Sequence, residues 1–154
     1  MIREARHSQL HRVGRLAIAA GTVFAAAGGA AWFAVTKELR DERITVPGNA
    51  PVLAGKLVQD PATAYVQALV IKRNAERSAG GRTFADISAE LQSIDGSSDK
   101  ARELRNQSAA LSTAASLRTA LMTSVLAYGV STLVAGLGAL FLLVGSLMRR
   151  PDEK

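Results

Sequence analysis

The chain has 154 residues, 48% of them hydrophobic and 21% charged, with a mean hydropathy of +0.13. The apolar residues gather in two blocks, residues 16–36 and 119–148, which run for 21 and 30 residues without a charge. A bilayer core of about 30 Å needs roughly 20 such residues, so both blocks can cross, which argues against an independent globular enzyme. With no cysteine, disulfides, thiolate metal sites, iron–sulfur clusters and cysteine nucleophiles are excluded together.

The net charge of +6 and pI near 10.3 fit basic flanks that anchor membrane helices beside anionic lipids. Nucleic acid is not an expected partner. It calls for a basic face with aromatics to stack on, whereas residues 37–118 carry 12 Lys/Arg against 10 Asp/Glu.

Residues 1–15 form a basic tail, with Arg3, Arg6, Arg12 and Arg15 against Glu4. The first apolar block ends with Trp32 and Phe33, where an aromatic belt belongs. A cleaved signal peptide is the rival reading, but 21 apolar residues exceed the usual h-region of ~7–15, which favours an anchor. Residues 37–43 should continue the helix about two turns into water. Ile44, Thr45 and Val46 precede the helix-breaking PGNAP at 47–51, and 52–59 reads as extended or loop.

Asp60-Pro61 is a helix start, an N-cap carboxylate followed by proline at the first position. The helix runs to Ala79, where Gly80-Gly81 supplies the left-handed stop. Thr83 with Asp86 reads as a capping-box variant opening a short helix to about Gln92. After a turn at 95–98, in which Ser97 or Ser98 can cap, residues 99–150 contain no proline. They read as one long helix, polar up to Arg118 and membrane-crossing beyond it. Pro151 ends it.

The expected architecture is an all-α membrane protein. A basic tail (1–15) and transmembrane helix 16–36 lead into a mainly helical extracytoplasmic domain (37–118). A second transmembrane helix (119–148) and a short tail (149–154) follow. The four Arg of the N-tail and Arg149, Arg150 and Lys154 place both termini in the cytoplasm. The 82-residue connection exceeds the ~60 residues within which loop charge controls topology. The plasma membrane is the expected location.

The two histidines, His7 and His11, share one helical face, with Glu4 as a third candidate ligand. Structural zinc takes four ligands and catalytic zinc three plus water, so the tail is read as lying on lipid headgroups. No metal or other cofactor is expected. Without histidine elsewhere, haem ligation by imidazole, a His-based triad and a two-His iron site are excluded from the rest of the chain. Several of the carboxylates Asp60, Glu76, Asp86, Glu90, Asp95, Asp99 and Glu103 read as caps or surface pairs, and neither GxSxG nor a P-loop occurs. Neither block has an ionisable residue at its centre, which argues against a transporter or proton channel.

Small residues recur at helical spacing in both blocks. Gly129, Thr132, Gly136 and Ala139 make one stripe in the second, and Gly138 with Gly145 repeats at seven. In the first, Gly21, Ala25 and Gly28 do the same, continued by Trp32. Such stripes let membrane helices approach closely. They leave open whether the partner is the other span or another protein. By the same helical wheel, Leu142 is expected to face lipid.

DERITV at 41–46, APVLAGKLV at 50–58, DPATAYVQALVI at 60–71, GGRTFADI at 80–87 and the run 116–145 resemble, in order, a family of small two-span membrane proteins of actinobacteria. Members are often labelled "aromatic ring-opening dioxygenase". The residues here contradict that label, because such an enzyme holds iron on histidines in a folded pocket. The family resemblance implies no catalytic residues. Ala50, Pro51, Ala54, Gly55, Lys56, Thr63, Ala64, Tyr65, Gly80 and Gly81 then read as turn, cap and packing positions. In architecture the chain also resembles respiratory supercomplex association factors.

The expected function is a non-enzymatic accessory or assembly subunit of a larger integral membrane complex, with the respiratory cytochrome bc–cytochrome oxidase supercomplex as a candidate. Anionic lipids are the second expected partner, and no small-molecule substrate is inferred. The alternatives are a free-standing envelope lipid-binding protein or an enzyme at the outer membrane face.

Overall fold

The computed structural model describes residues 2–149, and side chains within them except at 2–8 and 10. The described chain is all-helical: α1 (Ile2–Asp41), α2 (Pro61–Ser78), α3 (Phe84–Ser93) and α4 (Asp99–Leu147). α1 takes in the basic tail as well as the apolar block, so it is 40 residues long. α4 has 49 residues and contains no proline.

Both α1 and α4 are long and apolar enough to cross a membrane. In their most apolar windows only 11% and 17% of the residues are buried. The core helix of a soluble bundle would be mostly covered. Val23, Phe33, Leu126, Leu133, Leu140 and Leu143 are among the large apolar side chains left exposed.

The boundaries of the short helices follow from local chemistry. The Asp60 carboxylate accepts from the backbone N–H groups of Ala62 and Thr63, each at 2.9 Å. The Thr63 hydroxyl accepts in return from the Asp60 N–H, which completes a capping box. α2 stops where Gly80 and Gly81 take φ of +63° and +81°, a region closed to most side chains. There the Gly81 N–H donates to the Glu76 carbonyl at 2.8 Å. Thr83 and Asp86 form the second capping box. Ser98, one of the two serines expected to cap, accepts from the Ala101 N–H.

Residues 44–58 close on themselves. Thr45 and Leu57 make an isolated antiparallel bridge, and Val46 N–H to Lys56 O and Val58 N–H to Ile44 O are both 2.8 Å. Val46 and Val58 are buried beneath the closure.

The chain divides into two compact units, one of residues 1–37 and 126–154, the other of residues 38–125. The second unit thus takes α4 as far as Val125, past Arg118, and includes the buried Leu121. Part of its interior is Ala79, Ile87 and Leu104, with Leu91, Ile94 and Leu111 packed against them.

Candidate helix-packing interface

In the first unit α1 and α4 pack antiparallel along a seam of small residues. A Cβ added at Gly14 would lie 3.0 Å from the Gly145 carbonyl oxygen, and one at Gly21 only 2.7 Å from that of Gly138. At Gly28 it would lie 2.6 Å from the Ala135 nitrogen and 2.7 Å from the Ser131 oxygen. These are backbone atoms, so no side-chain rotation relieves them. A seven-residue step on α1 (14, 21, 28) therefore meets a seven-residue step on α4 (145, 138, 131). That period is the one at which two helices keep a common seam in a left-handed pairing.

The seam closes at its other end on aromatic and hydroxyl groups. Trp32 meets Tyr128 edge-on with ring centroids 4.5 Å apart, and the Thr36 and Tyr128 hydroxyls share a hydrogen bond of 2.9 Å. Tyr128 is 1% exposed. Ser131, buried in the seam, donates to the Ala127 carbonyl at 2.8 Å, so its hydroxyl is satisfied within its own helix. From Gly14 to Thr36 the seam covers about 33 Å, close to the hydrocarbon thickness of a bilayer.

Gly21, Ala25, Gly28 and Trp32, the first-block residues expected at a packing face, lie along this seam. Gly129, Thr132, Gly136 and Ala139 do not. All four are exposed, and a Cβ at Gly129 or Gly136 would meet no described residue within 4 Å. Gly136 and Gly138 differ by two positions, about 200° around the helix, so the two stripes look in nearly opposite directions. α1 occupies the one that includes Gly138 and Gly145.

Leu142 requires a correction. It was expected to face lipid, but its Cγ lies 2.9 Å from the Cβ position of Gly21. It is one turn from Gly138 and belongs to the seam. Gly14, just outside the uncharged block, was missed. Its signal was the unbroken spacing of seven from Gly14 through Gly21 to Gly28.

Of the residues expected to meet lipid headgroups, Arg12, Arg15 and Arg149 are exposed. The side chains of Arg3, Arg6 and Arg150 lie outside the described residues, as do those of Glu4 and His7, and with them the face that His7 shares with His11. Among the described residues no cluster of three or more His, Cys, Asp or Glu could hold a metal ion.

The carboxylates of the second unit are engaged in its surface. Asp60 caps α2, Glu76 pairs with Lys72, Asp99 pairs with Arg102, and Glu103 accepts from Gln107. The Thr83 backbone N–H, then its hydroxyl, hold the Asp86 carboxyl below its ordinary range. Ser97 does the same for Asp95. Glu90 is lowered chiefly by its hydrogen bond from Lys100, with the charges of Lys100 and Arg82 adding to it and partial desolvation opposing. All three shifts strengthen the acid, whereas a general acid at neutral pH needs its pKa raised.

Compared with known proteins, the chain matches no family model, no curated protein and no solved structure.

Proposed function

We propose that this chain is a non-enzymatic accessory or assembly subunit of a larger integral membrane complex in the plasma membrane. Both termini are cytoplasmic, and residues 37–118 lie outside. The observation that carries the reading is the second face of α4. A glycine inside a helix costs about 1 kcal/mol relative to alanine. Gly138 and Gly145 offset that cost by close packing on α1, but Gly129 and Gly136 meet nothing among the described residues. Small residues that leave backbone open on a membrane helix suit a second helix laid against them.

The resemblance to the actinobacterial two-span family supports the architecture. The resemblance to respiratory supercomplex association factors makes the cytochrome bc–cytochrome oxidase assembly the partner to test first. The tagged full chain, extracted in mild detergent, should elute with a larger complex carrying haem absorbance. Such absorbance would report the partner, since this chain has no histidine beyond His11. Elution of the chain alone, under conditions that keep the respiratory assembly intact, would exclude that partner.

A further inference from the structure

Residues 47–55 carry no charge, and residues 51–56 are all exposed. They form the tip of the closure at 44–58, where Val52 and Leu53 are 56% and 37% exposed. Backbone bonds fix the tip: the Gly55 N–H donates to the Val46 carbonyl at 2.8 Å, and the Lys56 N–H to that of Leu53 at 3.1 Å. Leu53 holds a φ of +58°, a left-handed conformation that glycine or asparagine adopts more readily. A residue held in such a region points to function. Leucine recovers little of that cost inside its own unit, so what it supplies is an apolar knob.

A groove of about 490 Å³ runs between the second half of α2 and the polar half of α4. Ile71, Ala75, Leu111 and Leu117 give it apolar walls, and Leu117 is 50% exposed. No charged residue is among those lining it, although residues 37–118 carry 12 Lys/Arg and 10 Asp/Glu. An uncharged groove in a charged domain is matched by the uncharged tip. The two are neighbours, because the Asn49 side chain donates to the Oδ1 of Asn74, a residue of the groove wall, at 3.2 Å. Val52 is three residues beyond Asn49 and so within about 11 Å of it. The α2 wall, from Ile71 to Ala79, is itself about 12 Å long.

The knob does not fill its own groove: neither Val52 nor Leu53 lines it. Complementary features side by side on one chain are what an isologous two-fold contact requires, each copy giving the knob and receiving the other's. Two copies in one bilayer are related by an axis along its normal, which preserves height. The Asn49–Asn74 bond holds the knob near the height of the groove, as that symmetry demands. We propose that two copies of this chain pair through residues 38–125, Val52 and Leu53 of each entering the groove between Ile71 and Leu117 of the other. The height argument rests on the membrane reading, whereas the contact itself is separate from the open face of α4.

The chain has no cysteine, so introduced thiols are unique. Full-length Val52→Cys and Thr113→Cys chains, differently tagged, are mixed in phosphatidylglycerol vesicles and treated with a short bismaleimide. Thr113 is exposed and lines the groove, so this pair should link. Val52→Cys with Arg73→Cys, on α2 outside the groove, should not. In native mass spectrometry from mild detergent the unmodified chain should appear as a dimer. Leu53→Asn, and Ala110→Glu at an exposed groove position, should each lower the dimer roughly tenfold, the scale of one buried leucine. Asparagine suits the left-handed backbone, so monomeric Leu53→Asn should unfold no earlier than monomeric wild type, which separates loss of the contact from misfolding. Adding Gly136→Leu to both cysteine chains should leave the link unchanged, so this contact and the α4 face fail separately. Equal linking of the two pairs, a monomeric wild type, or a dimer kept by Leu53→Asn would overturn the proposal. So would a link lost with Gly136→Leu, or a different protein seated in the groove.

Discussion

Tyr128 is among the largest side chains sealed from solvent, and its hydroxyl would be expensive in hydrocarbon without a partner. Thr36 supplies that partner. Membrane helix hydrogen bonds average about 0.6 kcal/mol in double-mutant cycles, so Tyr128→Phe should weaken the helix pair by about that amount. Gly138→Leu should do more, since its Cβ would stand 2.7 Å from the Gly21 carbonyl oxygen and overpacking costs ~1–3 kcal/mol. Unfolding in mixed micelles, followed by the fluorescence of the single tryptophan, Trp32, should rank the two in that order. Equal stability of Gly138→Leu and wild type would mean that the seam does not hold the helices together. Residue-level packing was only half legible in advance. Periodicity showed two small-residue stripes on the second block, but choosing between them needs the partner helix, whose own repeat of seven begins at Gly14, before the uncharged run.

At the level of elements, the second unit depends on short-range caps and on one carboxylate shared between cations. Glu90 on α3 receives Arg82 from the α2–α3 turn and Lys100 from α4. Its folded pKa lies below the ordinary value, near 4.3 for a free glutamate. The linked stability is therefore complete above that value and lost as pH falls through the folded pKa. Thermal unfolding of the wild type should weaken on acidification below about pH 4.3. Glu90→Gln should be less stable at neutral pH and show a shallower acid dependence. Parallel pH profiles for the two proteins would remove Glu90 from the account. The ends of α2 and α3 were legible because capping is local: Asp60-Pro61, Gly80-Gly81 and Thr83 to Asp86 carry their own geometry. The closure of residues 44–58 was not, because its bridge joins Thr45 to Leu57 across the turn. Leu53 there adopts a left-handed φ of +58°, which no propensity favours in leucine.

For the whole molecule, the flanking charges set an orientation and the open face of α4 a partner. Arg12, Arg15 and Arg149 flank the two apolar helices on the side of the chain ends, with Arg3, Arg6 and Arg150 beside them in sequence, so a reporter fused at Met1 or Lys154 should be cytoplasmic and one inserted near Gly96 external. A reporter at Met1 found outside would reverse the orientation. The partner claim stands on the α4 face that α1 leaves open, and Gly136→Leu probes it most directly. Leucine favours insertion by a few tenths of a kcal/mol, and the open space beside Gly136 lets the side chain fit without disturbing the seam. Val130→Leu, on an exposed position away from both stripes, is the matched control. Purified from membranes in mild detergent, wild type and Val130→Leu should bring down the same larger membrane complex, and Gly136→Leu should lose it while remaining in the bilayer. If Gly136→Leu recovers the complex as fully as wild type does, the open face of α4 is not where this protein meets its partner.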